Sequence, residues 1–346
     1  MTAGKLIFWF EELGKEHNDI VGKKCANLGE MTRMGLAVPP GFALSLDVYR
    51  HFVKESGLAE EMERYVRKFG DLKGQGIAVF DEMSEALRTM IESREIPEDI
   101  KNQILGYYEE LSRRLETVNP AVSVRSAGTE SRPGLFETYL NVKGHEDLLQ
   151  NVKKVWASAY TPRAIAFRAN KGFPTIGDEL GVAIPKMVNA RAAGIAFTVH
   201  PVDGDTNRVI LEANWGLGEG VVSGAECVDG FVVNKSDLTI ALKNIGNKTR
   251  CVMNVGRGAD WVDVPEAMRR MPCLDEKEII EISRLTMVLE QNLGCPQDVE
   301  WAVDHDLPFP RNIYHLQTRP AKVQAKKPLS TTDRIIDLLA KRYHKS

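Results

Sequence analysis

Long apolar runs are missing from this chain of 346 residues. No stretch approaches the length needed to span a bilayer, which excludes a membrane helix. The first apolar run, Leu6-Ile7-Phe8-Trp9-Phe10, is too short for the core of a signal peptide, and Glu11 and Glu12 follow it at once. A surplus of either charge is also absent: 45 Lys and Arg stand against 48 Asp and Glu, a formal net charge of −3. A broad cationic footprint for nucleic acid is therefore not expected. The five cysteines, Cys25, Cys227, Cys251, Cys273 and Cys295, are odd in number, scattered, and form no C-x-x-C pair. That excludes a disulfide framework and a zinc knuckle and fits reduced thiols in a cytoplasm. Neither a G-x-x-x-x-G-K-[ST] loop nor an internal repeat nor a long low-complexity segment occurs.

What remains is an ordinary globular composition, 43% apolar and 27% charged, long enough for two or three domains or subdomains. Residues 58–118, rich in Glu, Lys, Arg and Leu, predict amphipathic helices, and 145–170 predicts helix again. From Gly181 the chain alternates β-rich runs with glycines: Val182-Ala183-Ile184, Gly194 to Thr198, Val209-Ile210-Leu211 and Phe231-Val232-Val233. The expected class is α+β or α/β, with a helix-rich part over 1–180 and a sheet-rich part over 181–324. A basic tail, 325–346, opens at Ser330-Thr331-Thr332-Asp333 and carries Ile335, Ile336, Leu338 and Leu339 as an apolar stripe. It reads either as a helix packed on its own body or as a docking helix for a partner.

Two stretches near the end carry the most chemistry, Pro296-Gln297-Asp298-Val299-Glu300-Trp301-Ala302 and Leu316-Gln317-Thr318-Arg319-Pro320. Residues two apart in a strand share a face, so Asp298 pairs with Glu300 and Gln317 with Arg319. Joined by the turn-like 304–312, the stretches predict a hairpin with two acids, an amide and an arginine on one side. Oxygen ligands suit Mg²⁺ and a guanidinium suits phosphate; an ordinary solvated hairpin face is the competing reading. His315, by the same spacing, belongs on the Gln317 and Arg319 face. Upstream, Val21 to Gly29 offers a glycine turn, Lys23, Lys24 and a helix start, where a lysine can reach a phosphate. Arg125 stands at a predicted strand end in Val124-Arg125-Ser126. The loop Ser131 to Thr138 follows, with Gly134 permitting close backbone approach to an anion. Taken singly, a surface lysine, a plain turn and the glycine cluster Gly216 to Gly220 explain these just as well.

In combination and order, these stretches, together with Val38-Pro39-Pro40-Gly41-Phe42, Ala193 to Thr198 and Glu212 to Gly224, resemble the amino-terminal nucleotide-binding region of the phosphoenolpyruvate synthase and pyruvate phosphate dikinase family. The likeness spans roughly residues 18–322. It implies an ATP-grasp fold of two subdomains with the nucleotide in the cleft between them. It further implies Lys24, Arg125 and Arg319 on the phosphates, with the Ser131–Thr138 loop, including Gly134 and Thr138, covering them. Met187 and Val188 match the backbone linker that holds adenine, and Glu212 belongs to the strand of the nucleotide pocket. Glu300 and Gln317, with Asp298 nearby, match Mg²⁺ ligands. Pro185 departs from the pattern, since many relatives carry glutamine there, and it removes a side-chain amide and a backbone donor beside the base. None of the seven histidines, His17, His51, His145, His200, His305, His315 and His344, has the Gly-Gly-x-x-Ser/Cys-His context of the family's phosphoacceptor. The resemblance thus implies an AMP-forming phosphotransferase working with a partner subunit that bears a swivelling phosphohistidine domain and the acceptor site. Phenol is the first expected acceptor, by likeness in extent to a split member of the group, and pyruvate the second. An ADP-forming carboxylate ligase and a non-catalytic nucleotide sensor are the alternatives.

Overall fold

The first apolar run becomes an edge strand, β1 (Ile7–Trp9). The structure, a computed structural model, describes residues 5–130, 135–222 and 227–323. The tail over 325–346 and Gly134 therefore lie outside the described residues. After β1 come α1 (Asn18–Val21), α2 (Lys23–Arg33), β2 (Gly41–Leu44), α3 (Leu46–Glu55), α4 (Leu58–Val66), α5 (Ile77–Ser93) and α6 (Glu98–Arg114). Then follow β3 (Val122–Ala127), β4 (Thr138–Val142), α7 (His145–Ala157), α8 (Pro162–Lys171) and β5 (Gly181–Pro185). These strands form a five-stranded antiparallel sheet in the order β1-β2-β5-β3-β4.

Strand parity sorts this sheet into two unequal faces. Phe42, Leu44, Val122, Val124, Val182 and Ile184 point to one side and join the large core built with α3 to α8. Their alternates Ala43, Ala127 and Ala183 are small and meet α2 on the other side. Arg125, two residues before Ala127, falls on that α2 side. A Cβ on Gly22 would lie 2.1 Å from the Ala127 carbonyl oxygen, and its φ of +81° favours glycine besides. The chain thus turns tightly there, and Lys23 donates its N–H to the Gly128 carbonyl at 2.8 Å. The start of α2 is pinned to the end of β3.

The second half comprises β6 (Ala190–Phe197), β7 (Arg208–Trp215), α9 (Glu219–Val222), β8 (Asp229–Asn234), β9 (Ile240–Asn244), β10 (Arg250–Val255), β11 (Gly258–Asp263), α10 (Glu276–Leu293), β12 (Gln297–Asp304) and β13 (Ile313–Pro320). Six of its strands make an antiparallel sheet in the order β13-β12-β6-β7-β8-β9, and β10 and β11 form a separate hairpin. The strand Gly181–Pro185 pairs with β2 and β3, so the division between the sheets falls after Pro185, not at 180. One face of the six-stranded sheet packs on α10 through Trp301, Val303, Leu211, Phe231, Ile279 and Ile282. That helix begins with a capping box: Asp275 Oδ1 accepts from the Glu278 N–H at 2.9 Å and Glu278 Oε2 from the Asp275 N–H at 3.1 Å. Gly194 opposes the fully buried Trp301; a Cβ there would be 1.9 Å from the Glu212 carbonyl oxygen and 2.9 Å from the indole ring. Replacing that indole by alanine removes a contact of the kind worth about 3–5 kcal/mol.

The expected hairpin of β12 and β13 forms, with Asp298 opposite Arg319 and Glu300 opposite Gln317. It is not a solvated face, because β12 is an inner strand between β13 and β6. One expectation fails on its register. A β-bulge between Glu300 and Trp301 sets His315, not Leu316, opposite Trp301. His315 consequently faces the α10 side, fully buried, and the cleft side receives Leu316 and Gln317 in succession. Burial pushes the His315 imidazole down to about 4, with Glu281 of α10 opposing the shift.

Candidate functional site

A cleft of about 570 Å³ lies between the two sheets, within the usual range for small-molecule sites. Its floor at one end is charged. Lys24 enters from the first turn of α2, where the pinned helix start fixes its approach, and Arg125 enters from β3. Burial first, and then Arg125 beside it, push the Lys24 amine down to about 7, while Glu300 and Glu219 pull it back up. A bound anion would reverse that balance and restore the ammonium.

Arg125 is held across the cleft. Its Nη2 donates to Glu300 Oε2 at 3.3 Å and its Nη1 to the Leu316 carbonyl at 3.4 Å, while its buried Nε has no acceptor among the described residues. The other Glu300 oxygen, Oε1, accepts from Gln317 Nε2 at 3.2 Å. One residue pair further along the hairpin, Arg319 Nε donates to Asp298 Oδ2 at 2.7 Å. Burial raises the Asp298 carboxyl above its ordinary range despite that arginine, and its Oδ1 is buried without a partner among the described residues. Asn27 Nδ2 donates to the Thr318 carbonyl at 3.0 Å and ties α2 to β13. Thr138 begins β4 directly opposite Arg125 and lines the same space. Behind it, Arg88 of α5 grips the Glu137 carboxylate at 2.9 and 3.0 Å, which fixes where the chain re-enters the sheet.

The other end of the cleft is apolar. Met187, Val188, Leu140, Ala193, Leu217 and Leu316 form its walls. The linker after β5 is held by its backbone: Lys186 donates its N–H to the Pro40 carbonyl and Met187 to Ala121, each at 2.8 Å. Met187's own N–H is thus committed to the protein. The structure accordingly brings together Lys24, Arg125, Thr138, Met187, Val188, Glu300, Gln317 and Arg319 around one cleft. Two expected residues stand apart from its lining. Asp298 is turned to Arg319. Glu212 lies in the same row of the sheet as Glu300, with Ile195 between them. Sequence reasoning missed Asn27, Lys186, Glu130 and Glu219, which also line the cleft; Lys186 could have been found from its place between Pro185 and Met187.

For a divalent cation, the fitting donors are Glu300 and Gln317. They are paired in register, and the Gln317 amide spends its N–H on Glu300, which leaves its oxygen for a ligand. Two hard oxygens suit a Mg²⁺ that takes its remaining ligands from phosphate and water. Among the described residues no group of three or more His, Cys, Asp or Glu is placed to enclose a metal by itself.

Compared with known proteins, residues 18–337 match the family described as pyruvate phosphate dikinase, AMP/ATP-binding domain. A probable phosphoenolpyruvate synthase of Methanocaldococcus jannaschii is 38% identical over 326 residues, covering 91% of this chain and 26% of that protein. The phosphoenolpyruvate synthase of Aeropyrum pernix is 34% identical over 355 residues, covering 93% and 43%. That of Pyrococcus furiosus is 36% identical over 363 residues, covering 92% and 44%. The chain thus spans between a quarter and a half of the length of these relatives. An L-amino acid ligase structure from Bacillus licheniformis aligns with 71% of this chain and 46% of its own at 10% identity and a TM-score of 0.23, too slight a likeness to bear on fold or function.

Proposed function

The chain belongs to the family of pyruvate phosphate dikinase AMP/ATP-binding domains, and on that premise we propose that its cleft binds Mg-ATP and delivers a phosphoryl group to a histidine on a partner subunit. We read the fold as ATP-grasp, with the two sheets as its subdomains. The observation that carries the reading is the convergence of Lys24, Arg125, Gln317, Glu300 and Arg319, from α2, β3, β12 and β13, on one end of a cleft whose other end is apolar. Phosphoryl transfer is mostly positioning and charge neutralisation, and these residues supply both. Lys24, Arg125 and Arg319 would meet phosphate oxygens, Thr138 would stand at the edge of the covering loop, and Met187 and Val188 would flank the base. Glu300 and Gln317 would hold Mg²⁺, which when bound neutralises charge on the transferring phosphates. Asp298 acts through Arg319, keeping its guanidinium turned along the hairpin.

The route through the β-phosphoryl group, with AMP and phosphate as products, rests on the family. So does the partner, which would carry the swivelling histidine domain and the acceptor site. Of the acceptors expected from sequence, the names of the relatives support pyruvate. Phenol, as in a phenylphosphate synthase, rests on likeness in extent alone.

The test is product analysis with ATP labelled at the β- or γ-phosphorus, mixed with this chain, Mg²⁺ and a co-purifying histidine-bearing subunit. The expected result is β-label on the partner, with AMP and γ-labelled phosphate released. ADP formed by this chain alone, with no label on any partner, would replace the reading by the carboxylate ligase.

A further inference from the structure

The hairpin of β10 and β11 belongs to neither large sheet, yet it touches both halves of the molecule. Its root is fixed in the second half. The buried Asn214 of β7 donates from Nδ2 to the Arg250 carbonyl at 3.0 Å, and Leu217 donates its N–H to the Val252 carbonyl at 2.8 Å. A Cβ on Gly216 would lie 2.2 Å from that same carbonyl oxygen, so the two backbones meet directly. Val252 and Trp261, partners across the hairpin, pack with Leu217 in the apolar cluster of the cleft. The hairpin therefore backs the segment 217–222, from which Leu217, Gly218, Glu219 and Val222 line the cleft.

Its tip reaches the first half. Asn141 Nδ2 donates to the Gly256 carbonyl at 2.8 Å and to the Gly258 carbonyl at 3.4 Å. Between them, Arg257 donates from Nη1 to Asp147 Oδ1 of α7 at 3.2 Å. Strand β4 is bent where it makes this contact: β3 steps two residues, from Val122 to Val124, while β4 steps three, from Val142 to Tyr139. Within that bulge Asn141 has a φ of +55°, a left-handed conformation that asparagine adopts more readily than most residues but that departs from a strand. Bulges re-aim side chains, and such a conformation persists where its surroundings hold it. Here the buried Asn141 is turned to the hairpin while its neighbour Leu140 lines the cleft. A separate tie, from Asn27 of α2 to the Thr318 carbonyl, joins the halves elsewhere.

Resting on the reading of the cleft as a nucleotide site, we propose that this hairpin is a strap joining the two halves, that Asn141 and Asp147 are positioning residues that catch its tip, and that release of the catch sets how fast nucleotide leaves. The catch is small: one buried amide facing two carbonyls, and one ion pair open to water. A contact of that size favours the closed form and still opens often enough to let a ligand out. Neither residue lines the cleft, so both act through the hairpin and the 217–222 wall that it backs.

Amide hydrogen exchange of the full chain without nucleotide reads the catch itself. Asn141→Gly keeps the positive φ and deletes the side chain. The hairpin amides and that of Leu217 should exchange about tenfold faster, the loss of one hydrogen bond. Helix α10 should keep its protection, which shows that the fold is intact. A stopped-flow chase then reads the cleft: Mg-ATP should dissociate about tenfold faster from Asn141→Gly, with its association rate changed by less than about threefold. Arg257→Asp, which sets two carboxylates face to face, should speed dissociation about threefold, and adding Asp147→Arg should return it to the wild-type rate. Unchanged exchange or unchanged ATP dissociation in Asn141→Gly, or no restoration by the charge swap, would each overturn the proposal. A wild-type chain that binds no Mg-ATP would sink the nucleotide reading, and faster exchange in Asn141→Gly would then still support the strap.

Discussion

The cleft proposed for the nucleotide has a charged end, taken for phosphate, and an apolar end, taken for the base, and the two are built on opposite principles. At the phosphate end, charged side chains from both sheets satisfy one another: Arg125 with Glu300, Glu300 with Gln317, Arg319 with Asp298. At the base end, apolar walls surround a linker whose N–H groups at Lys186 and Met187 are already spent on the protein. A ligand entering the first must exchange partners, whereas a ligand entering the second only displaces solvent. The phosphate end should therefore govern turnover and the response to metal and pH, and the base end affinity and choice of base.

The most severe way to break this contrast is Arg125→Ala. Turnover should fall by at least about 10²–10³, the loss typical of removing one donor to developing charge, while adenosine, which lacks phosphates, should bind as before. If adenosine binding falls in parallel with turnover, the two ends are not separable. Glu300→Gln keeps the shape and the Gln317 contact but releases Arg125. Calorimetry should then show metal-free ATP binding more tightly, by up to about tenfold for a surrendered ion pair worth ~1 kcal/mol, and Mg²⁺ no longer improving the affinity. An unchanged response to Mg²⁺ would remove Glu300 from the metal site.

Lys24 sharpens the comparison through pH. Its amine sits at about 7 in the cleft against an ordinary 10.5. The unfolded chain thus binds more protons than the folded one between those values, so the cost of enclosing Lys24 is fully present below pH 7. That cost fades as pH rises towards 10.5. Nucleotide binding runs the other way, because phosphate favours the ammonium. ATP should bind with proton uptake at pH 8, and its affinity should decline above pH 7 by at most about tenfold per unit. Lys24→Arg should flatten that slope, and a slope surviving in the variant would point to a different group. The smallest expected effect is at the base end: Pro185→Gln restores a side-chain amide there and should shift the preference between ATP and GTP by less than about tenfold, with turnover at saturating ATP unaltered.

The gathering of charged residues at one end of the cleft was largely legible because they punctuate strand and helix ends. Lys24 follows a glycine turn, Arg125 ends an apolar strand, and Glu300 and Gln317 sit in alternating runs whose pairing forms as expected. The apolar end was assigned to the base only through family likeness, since Leu140, Leu217 and Leu316 carry no mark distinguishing a ligand wall from a core. The fold boundary was misjudged because Gly181 looks like an opening residue. In fact its backbone packs against Val21, where a Cβ would lie 2.3 Å from the carbonyl oxygen, and the strand it starts completes the first sheet. The hairpin of β10 and β11 went unforeseen, its half-exposed alternation giving a weak signal. His315 was assigned to the wrong face because counting by twos assumes an unbroken pleat. Asp298 was grouped with the metal ligands on the same count, and nothing in the sequence reveals that its carboxylate is turned to Arg319.

The bulge that defeated the count has a meaning for how this strand can vary. Ile313 and His315 answer to the packing beneath α10, and Gln317 and Arg319 answer to the cleft. Leu316, the extra residue, absorbs the mismatch in phase between them. Each half is thereby free to accept substitutions without forcing compensations in the other, so β13 behaves as two independently heritable segments in one strand. A single-residue deletion at Leu316 would fuse them, obliging either His315 to enter the cleft or Gln317 to leave it. The strand should thus tolerate many substitutions and almost no change in length.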